Sequence, residues 1–121
     1  MGDFDVDLSF GQIYEKKIEE IFRGKGLIEV KTERDVWKKT GNIAIEISYK
    51  GRPSGIASTD ADWWFHLLSY KGEIQMALVY PVTKLKGIVI EKIVGGTANV
   101  KMGGDDNKSE IILLPIRELM P

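Results

Sequence analysis

Alternating side chains in two short segments constrain the fold of this chain more than any other feature. Residues 28–33 alternate Ile28, Val30 and Thr32 with Glu29, Lys31 and Glu33, and residues 43–48 alternate three isoleucines with Ala44, Glu46 and Ser48. Successive side chains of a β-strand point to opposite faces. Each segment is therefore predicted to be a strand with one apolar face and one polar face.

The segment between these strands, residues 38–41, has the sequence Lys-Lys-Thr-Gly and predicts a hairpin turn. Such a hairpin would place Lys31 roughly opposite Glu46, and Glu29 roughly opposite Ser48. Two carboxylates and an ammonium group on one face can hold a divalent cation and stabilise a developing phosphate charge. The same pattern also fits a solvated sheet face, on which a Glu–Lys pair contributes only about 0.2–1 kcal/mol. Spacing alone leaves both interpretations open.

Two helices are predicted around the strands. Ser9 and Gln12 have the spacing of a capping box that opens a helix over residues 9–22. Its apolar stripe consists of Phe10, Tyr14, Ile18 and Ile21. Glu15 lies at the edge of this stripe, and Glu19, one turn later, is its substitute. Thr59 and Asp62 predict the start of a second helix over residues 59–70.

The remaining pattern completes one α/β domain over residues 1–121. Residues 74–80, 98–102 and 110–115 predict strands, and residues 82–91 favour a helix. Double glycines at 95–96 and 103–104 are typical of turns, since no phosphate-binding motif surrounds them. The expected architecture is a mixed β-sheet flanked by helices.

The order of these elements resembles the PD-(D/E)XK nuclease superfamily, which includes Holliday-junction resolvases, many restriction endonucleases and small phage nucleases. The resemblance spans roughly residues 11–68. It rests on a helix glutamate, Glu15, on the strand carboxylates Glu29 and Glu46, and on loops at residues 11–15, 39–42 and 51–56. It implies a restriction-endonuclease-like fold and the hydrolysis of phosphodiester bonds in nucleic acid.

The resemblance also implies a site. Glu15, Glu29 and Glu46 take the positions of the carboxylates that bind Mg²⁺ or Mn²⁺ in this superfamily. The family's acid-x-lysine triplet would end at residue 48, which is Ser48 here. Lys31, on the neighbouring strand, is therefore expected to supply the catalytic ammonium group.

The distribution of charge favours DNA as the partner, although the net charge is only −1. Residues 23–52 contain eight basic residues and four acidic ones, and two of those four are the expected metal ligands Glu29 and Glu46. Backbone phosphates attract such a surface. The expected nucleic-acid-binding residues are Lys38, Lys39, Lys50, Arg52 and Ser54.

Composition excludes several other classes. The chain has no cysteine, so disulfides, thiolate zinc sites and cysteine nucleophiles are ruled out. No apolar run is long enough to span a membrane, and the acidic first residues do not resemble a secretory signal. The expected location is cytoplasmic.

Three functions remain open from the sequence. The leading one is a Mg²⁺-dependent endonuclease or resolvase, for which a paired cut would call for a two-fold homodimer. The second is a nucleic-acid-binding module of the same fold without catalysis, which Ser48 in place of lysine favours. The third is a small structural or protein-interaction domain that uses an exposed sheet edge.

Overall fold

A computed structural model of the chain describes residues 2–24 and 26–120, with side chains from residue 11 onward in those ranges. Three α-helices and seven strands follow one another in this part of the chain: α1 (Gly2–Phe22), β1 (Ile28–Glu33), α2 (Val36–Thr40), β2 (Asn42–Tyr49), β3 (Arg52–Pro53), β4 (Trp63–Tyr70), β5 (Glu73–Pro81), α3 (Val82–Val94), β6 (Asn99–Gly103) and β7 (Ser109–Pro115). Short 3₁₀ helices cover Gly55–Ala57 and Ile116–Leu119. The chain is a single α/β domain with helices against its sheets.

The strands form two sheets, where the sequence had predicted one mixed sheet. The first has the order β1-β4-β5, with β1 parallel to β4 and β4 antiparallel to β5. The second is antiparallel with the order β3-β2-β7-β6. The predicted strands at residues 28–33, 43–48, 74–80, 98–102 and 110–115 and the predicted helix after Pro81 are confirmed.

The hairpin expected between β1 and β2 is wrong. The intervening residues form α2, which Gly41 ends in the left-handed conformation at φ 73°. The indole Nε1 of Trp37 donates to the carbonyl of Ser69 at 2.5 Å, so α2 is fastened to the end of β4. The chain then leaves the first sheet, and β2 pairs with β7 in the second sheet.

The helix predicted over residues 59–70 is also wrong, because residues 63–70 form β4. Along this strand Trp64, His66 and Leu68 are buried, whereas the residues between them are half-buried. This is the period of two expected for a central strand rich in aromatic residues. Thr59, the expected helix cap, accepts the amide of Ala61 on its hydroxyl and so stabilises a turn instead.

The first helix begins at Gly2 and not at Ser9, so Ser9 lies inside α1 and cannot cap it. The side chains of Ser9 and Phe10 fall outside the described residues. Of the predicted apolar stripe, Ile21 is buried, Ile18 is half-buried and Tyr14 is 42% exposed.

The core collects one face of each sheet and one side of α3. It contains Ile43, Ile45, Ile56, Trp64, Leu68, Val82, Leu85, Val89, Ile112, Leu114 and Leu119. Ile43 and Ile45 of β2 point into this core, so Ala44 and Glu46 lie on the opposite face of β2. On β1 the charged residues 29, 31 and 33 lie in register with Trp64, His66 and Leu68 of β4. The same face of the first sheet therefore carries charged residues on β1 and buried residues, His66 among them, on β4.

Candidate active site

A pocket of about 210 Å³ lies where β1 and β4 of the first sheet meet β2 of the second. Four ionisable side chains and three other residues line it: Lys31, Glu33, Glu46 and His66, with Thr32, Ala44 and Trp64. The expected residues Lys31 and Glu46 do share this pocket, but they do not face each other across a hairpin. In strand register Lys31 pairs with His66, and Glu46 pairs with Ile111.

Glu33 links the two sheets through one carboxylate oxygen. Its Oε1 accepts the backbone amide of Ala44 at 2.5 Å and lies 3.0 Å from Nε2 of His66. The Glu33 side chain is only 16% exposed. Both hydrogen bonds use Oε1, so Oε2 has no hydrogen-bond partner among the described residues. A carboxylate held in this way is fixed in orientation while one oxygen stays available to a ligand.

Trp64 sets the tautomer of His66. The indole Nε1 of Trp64 lies 3.0 Å from Nδ1 of His66, and both residues are 2% exposed. An indole N–H can only donate, so Nδ1 is the acceptor and carries no proton. The ring proton is then on Nε2, where it is donated to Glu33. The three side chains form a directed chain of hydrogen bonds from Trp64 through His66 to Glu33.

Glu46 is held by a different pair of contacts. Its Oε1 accepts the hydroxyl of Ser109 at 2.5 Å. Gly55, at φ +55°, packs on the Glu46 backbone so closely that a Cβ there would lie 2.2 Å from the Glu46 carbonyl oxygen. The position of Glu46 therefore depends on a glycine at residue 55.

Glu29 and Lys31 lie on the same face of β1, with Oε1 of Glu29 3.8 Å from Nζ of Lys31. The segment Glu29-Val30-Lys31 is itself an acid-x-lysine triplet. The acidic residue and the lysine of this pattern therefore come from the same strand, β1. Glu29 belongs to the polar face of β1 but does not line the pocket.

Other residues expected at the site lie apart from it. Glu15 is exposed on α1 and does not line the pocket, while its substitute Glu19 forms an ion pair with Arg23 at 2.5 Å. Ser48 follows a β-bulge after Glu46 and donates its hydroxyl to Glu110 at 2.8 Å. The structure thus brings Lys31 and Glu46 together and leaves Glu15 and Ser48 outside.

The expected nucleic-acid-binding residues fall into two groups at opposite ends of β2. Lys38 and Lys39 are on α2, before Asn42, whereas Lys50 and Arg52 follow Tyr49. Eight residues of strand separate these groups, roughly 25 Å at about 3.3 Å per residue. The Lys38 ammonium lies 3.9 Å from the centre of the Tyr70 ring.

The second group forms a tight hairpin. Lys50 and Gly51 have positive φ angles of 50° and 77°, as a two-residue type I′ turn requires. Next to it, Tyr49 donates its hydroxyl to Asp106, and this hydrogen bond raises the pKa of Tyr49 above its ordinary value of 10.0. Ser54 was expected to bind nucleic acid, and its Oγ is buried with no hydrogen-bond partner among the described residues.

Sequence reasoning missed three members of the site. Glu33 could have been included, because it shares a strand face with Glu29 and Lys31. His66 was assigned to a helix, and only the strand assignment of residues 63–70 puts it beside Trp64. Ser109 lies 63 residues from Glu46 and carries no local signal.

Among the side chains described, no three histidine, aspartate or glutamate residues converge closely enough to form a complete metal cage. In the same part of the chain, no helix has the length and apolar character needed to cross a membrane.

No protein-family model, curated protein or solved structure matches this chain. The features of this chain that bear on function are therefore the pocket and the residues that carry the resemblance.

Proposed function

We propose that this protein is a Mg²⁺-dependent DNA endonuclease or resolvase of the PD-(D/E)XK type, with its site at the pocket of Lys31, Glu33 and Glu46. One observation carries the proposal: these side chains come from two different sheets and line one small pocket. Two carboxylates can bind a metal ion, and an ammonium group beside them can stabilise negative charge on a phosphate. Metal-assisted hydrolysis of a phosphodiester uses both functions.

The donors in the pocket fit Mg²⁺. Glu33 and Glu46 supply hard carboxylate oxygens, and each has one oxygen already oriented by a hydrogen bond. Mg²⁺ typically keeps several waters and binds one or two protein carboxylates together with substrate phosphates. Two carboxylates are therefore enough. When bound there, the ion would act as a Lewis acid on a phosphate oxygen.

Lys31 fits the role of stabilising charge on the phosphate. Its side chain is 47% exposed, so the ammonium can reach a substrate that lies over the pocket. Strand alternation places it on the same face of β1 as Glu29, whose Oε1 lies 3.8 Å from its Nζ. An ammonium group that meets charge developing in the transition state lowers the barrier more than it strengthens substrate binding.

Glu33 fits the role of a ligand or proton acceptor. Because its Oε1 is occupied by Ala44 and His66, its Oε2 is the oxygen free to meet a metal ion or a water. His66 is then a positioning residue, since it acts on Glu33 and not on the substrate. Trp64 supports it by fixing the proton on Nε2.

The basic residues support a duplex or branched DNA substrate. The two groups at opposite ends of β2 lie on either side of Glu46, which is on the same strand. Phosphates bound at both ends would bring the intervening backbone past the pocket. An acidic pocket between basic groups is also suited to a metal ion that bridges protein and phosphate.

Cleavage of a supercoiled plasmid in Mg²⁺ tests the proposal, with the same reaction in EDTA as the metal-free control. We expect Glu46→Gln to abolish cleavage while folding and DNA affinity are kept, because the amide has the same shape but lacks the charge that binds a hard cation. Glu91→Gln, an exposed change on α3, is the matched control and should cleave normally.

The outcomes separate the three functions. If the wild type cleaves DNA and Glu46→Gln cleaves it at the same rate, Glu46 does not belong to the site. Salt-sensitive DNA binding without cleavage in Mg²⁺ or Mn²⁺ identifies a binding module of the same fold. If the protein neither binds nor cleaves DNA, the third function applies, which is a structural or protein-interaction domain.

A further inference from the structure

The outer edge of β5 differs from the other sheet edges in residues 26–120. β5 is the last strand of the first sheet, so one side of its backbone has no strand partner. Residues 73–77 are exposed on both faces, and Ile74, Met76 and Val79 are 54%, 44% and 43% exposed. Residues 74–80 contain no charged side chain and no proline.

Each of the other edges has a feature that discourages pairing with another chain. β1 carries Glu29, Lys31 and Glu33, and β6 carries Lys101. β3 has only two residues, Arg52 and Pro53. Charges, proline and short length are the usual protections of an edge strand. β5 has none of these protections over its seven residues 74–80, so its outer edge can pair with another β-strand.

We propose that β5 pairs with β5 of a second copy of this chain, antiparallel about a two-fold axis at Ala77. Ala77 is the centre of the uncharged stretch. In this register Met76 lies opposite Leu78 of the copy, and Ile74 lies opposite Tyr80. The contact is isologous and closed, so it yields a dimer with one continuous six-stranded sheet.

Charge complementarity selects this occupant and this direction. Antiparallel pairing places Glu73 of one copy opposite Pro81 of the other, directly before α3. The first turn of α3 contains Lys84 and no acidic residue, and a helix N-terminus favours a carboxylate. Parallel pairing would instead set the two Glu73 side chains side by side. The two-fold axis repeats the favourable contact at both ends of the paired strands.

A charge swap at the axis tests the dimer. Ala77 is exposed, so a longer side chain there does not disturb the monomer core. Ala77→Lys sets two lysines against each other, and Ala77→Glu sets two glutamates against each other, so each variant should dissociate at a protein concentration at least tenfold higher than wild type does. An equimolar mixture of the two variants should recover a mixed dimer, because the pair at the axis is then oppositely charged.

Sedimentation velocity over a range of concentrations, with native mass spectrometry of the mixture, gives the readout. Val100→Lys is the matched control, an apolar-to-lysine change at a 40% exposed residue on β6, and should leave the dimer unchanged. Concentration-dependent protection of β5 amides from hydrogen exchange would support the same contact. The proposal is overturned if the wild type stays monomeric at every concentration, if Ala77→Lys leaves a dimer intact, or if the mixture does not reassociate. None of these outcomes depends on DNA cleavage, so the dimer and the proposed function fail separately.

Discussion

Glu33 and His66 lie on neighbouring parallel strands, and Nε2 of the buried histidine donates to Oε1 of the glutamate at 3.0 Å. This contact fixes the orientation of the Glu33 carboxylate, which lies at the end of β1 and lines the pocket. His66 is the only histidine of the chain, and it is buried.

Replacing His66 tests its positioning role. We expect His66→Leu to destabilise the protein by about 1–3 kcal/mol, because the buried Trp64 indole N–H loses its acceptor. Cleavage should fall as well, since Glu33 loses one of the donors that orient it. His66→Gln should keep more activity than His66→Leu, because an amide can both donate to Glu33 and accept from Trp64.

The indole N–H resonance of Trp64 reports on this directly. It should move strongly in His66→Leu and less in His66→Gln, and urea unfolding gives the change in stability. Equal activity in the leucine and glutamine variants, after correction for the folded fraction, would show that His66 serves only the fold.

Lys31→Ala tests the catalytic ammonium group. The expected loss is about 10²–10³-fold in kcat with Mg²⁺ dependence unchanged, since the charge acts mainly in the transition state. Single-turnover cleavage over a Mg²⁺ titration measures both quantities. An active Lys31→Ala protein would remove this lysine from the mechanism.

A second lysine placed at residue 48 should not rescue Lys31→Ala. Ser48 donates to Glu110 and is separated from Glu46 by a β-bulge, so its side chain does not line the pocket. The double variant Lys31→Ala with Ser48→Lys is therefore expected to remain as inactive as the single variant. Recovery of tenfold or more, about 1.4 kcal/mol of barrier, would mean that residue 48 reaches the pocket.

Neutralising the basic groups tests the DNA path. Changing Lys38, Lys39 and Arg52 together to glutamine should weaken DNA binding for all sequences and lower the slope of log affinity against log salt by up to about three. Fluorescence anisotropy with a labelled duplex at several salt concentrations measures the slope. The control removes the same charge from three exposed lysines on α1 and α3: Lys16, Lys17 and Lys84. An equal effect in both triple variants would argue against a defined path along β2.

Glu118 provides a pH test of the fold that is independent of function. Its hydrogen bond from Lys92 on α3 holds the pKa of the Glu118 carboxyl below its ordinary 4.5. A carboxyl whose pKa is lowered on folding stabilises the protein above its unfolded pKa, and this stabilisation is lost as the pH falls through the folded pKa.

Glu118→Gln should therefore reduce the free energy of unfolding at pH 7, and the difference from wild type should vanish at low pH. High salt should shrink the difference as well, because the Glu118 carboxylate is exposed. Denaturant unfolding across this pH range measures it, with Glu91→Gln on α3 as the control. A difference that persists at low pH would assign the effect to packing.

Local pattern was sufficient for most of the strands and for α3. The period of two in residues 28–33 and 43–48 identified β1, β2 and their polar faces, because alternation is a property of the strand itself. The same reasoning placed Lys31 and Glu46 on polar faces. It also contained Glu33, two residues beyond Lys31, although that residue was not chosen.

Pairing and sheet membership could not be read from the sequence. The run of aromatic residues at 63–68 is compatible with a buried helix or a buried strand, and only the contact of β4 with β1 and β5 on its two sides decides between them. Trp37 likewise determines where the chain goes after β1, through a hydrogen bond to Ser69, 32 residues away.

The sequence by itself determined the polar faces, the absence of thiol chemistry and the basic segments, because each of these depends on residue type and short-range spacing. The tertiary structure alone decided which polar faces meet. Glu33, Glu46, His66 and Ser109 come from four strands in two sheets, and their meeting depends on long-range packing, which local spacing does not encode.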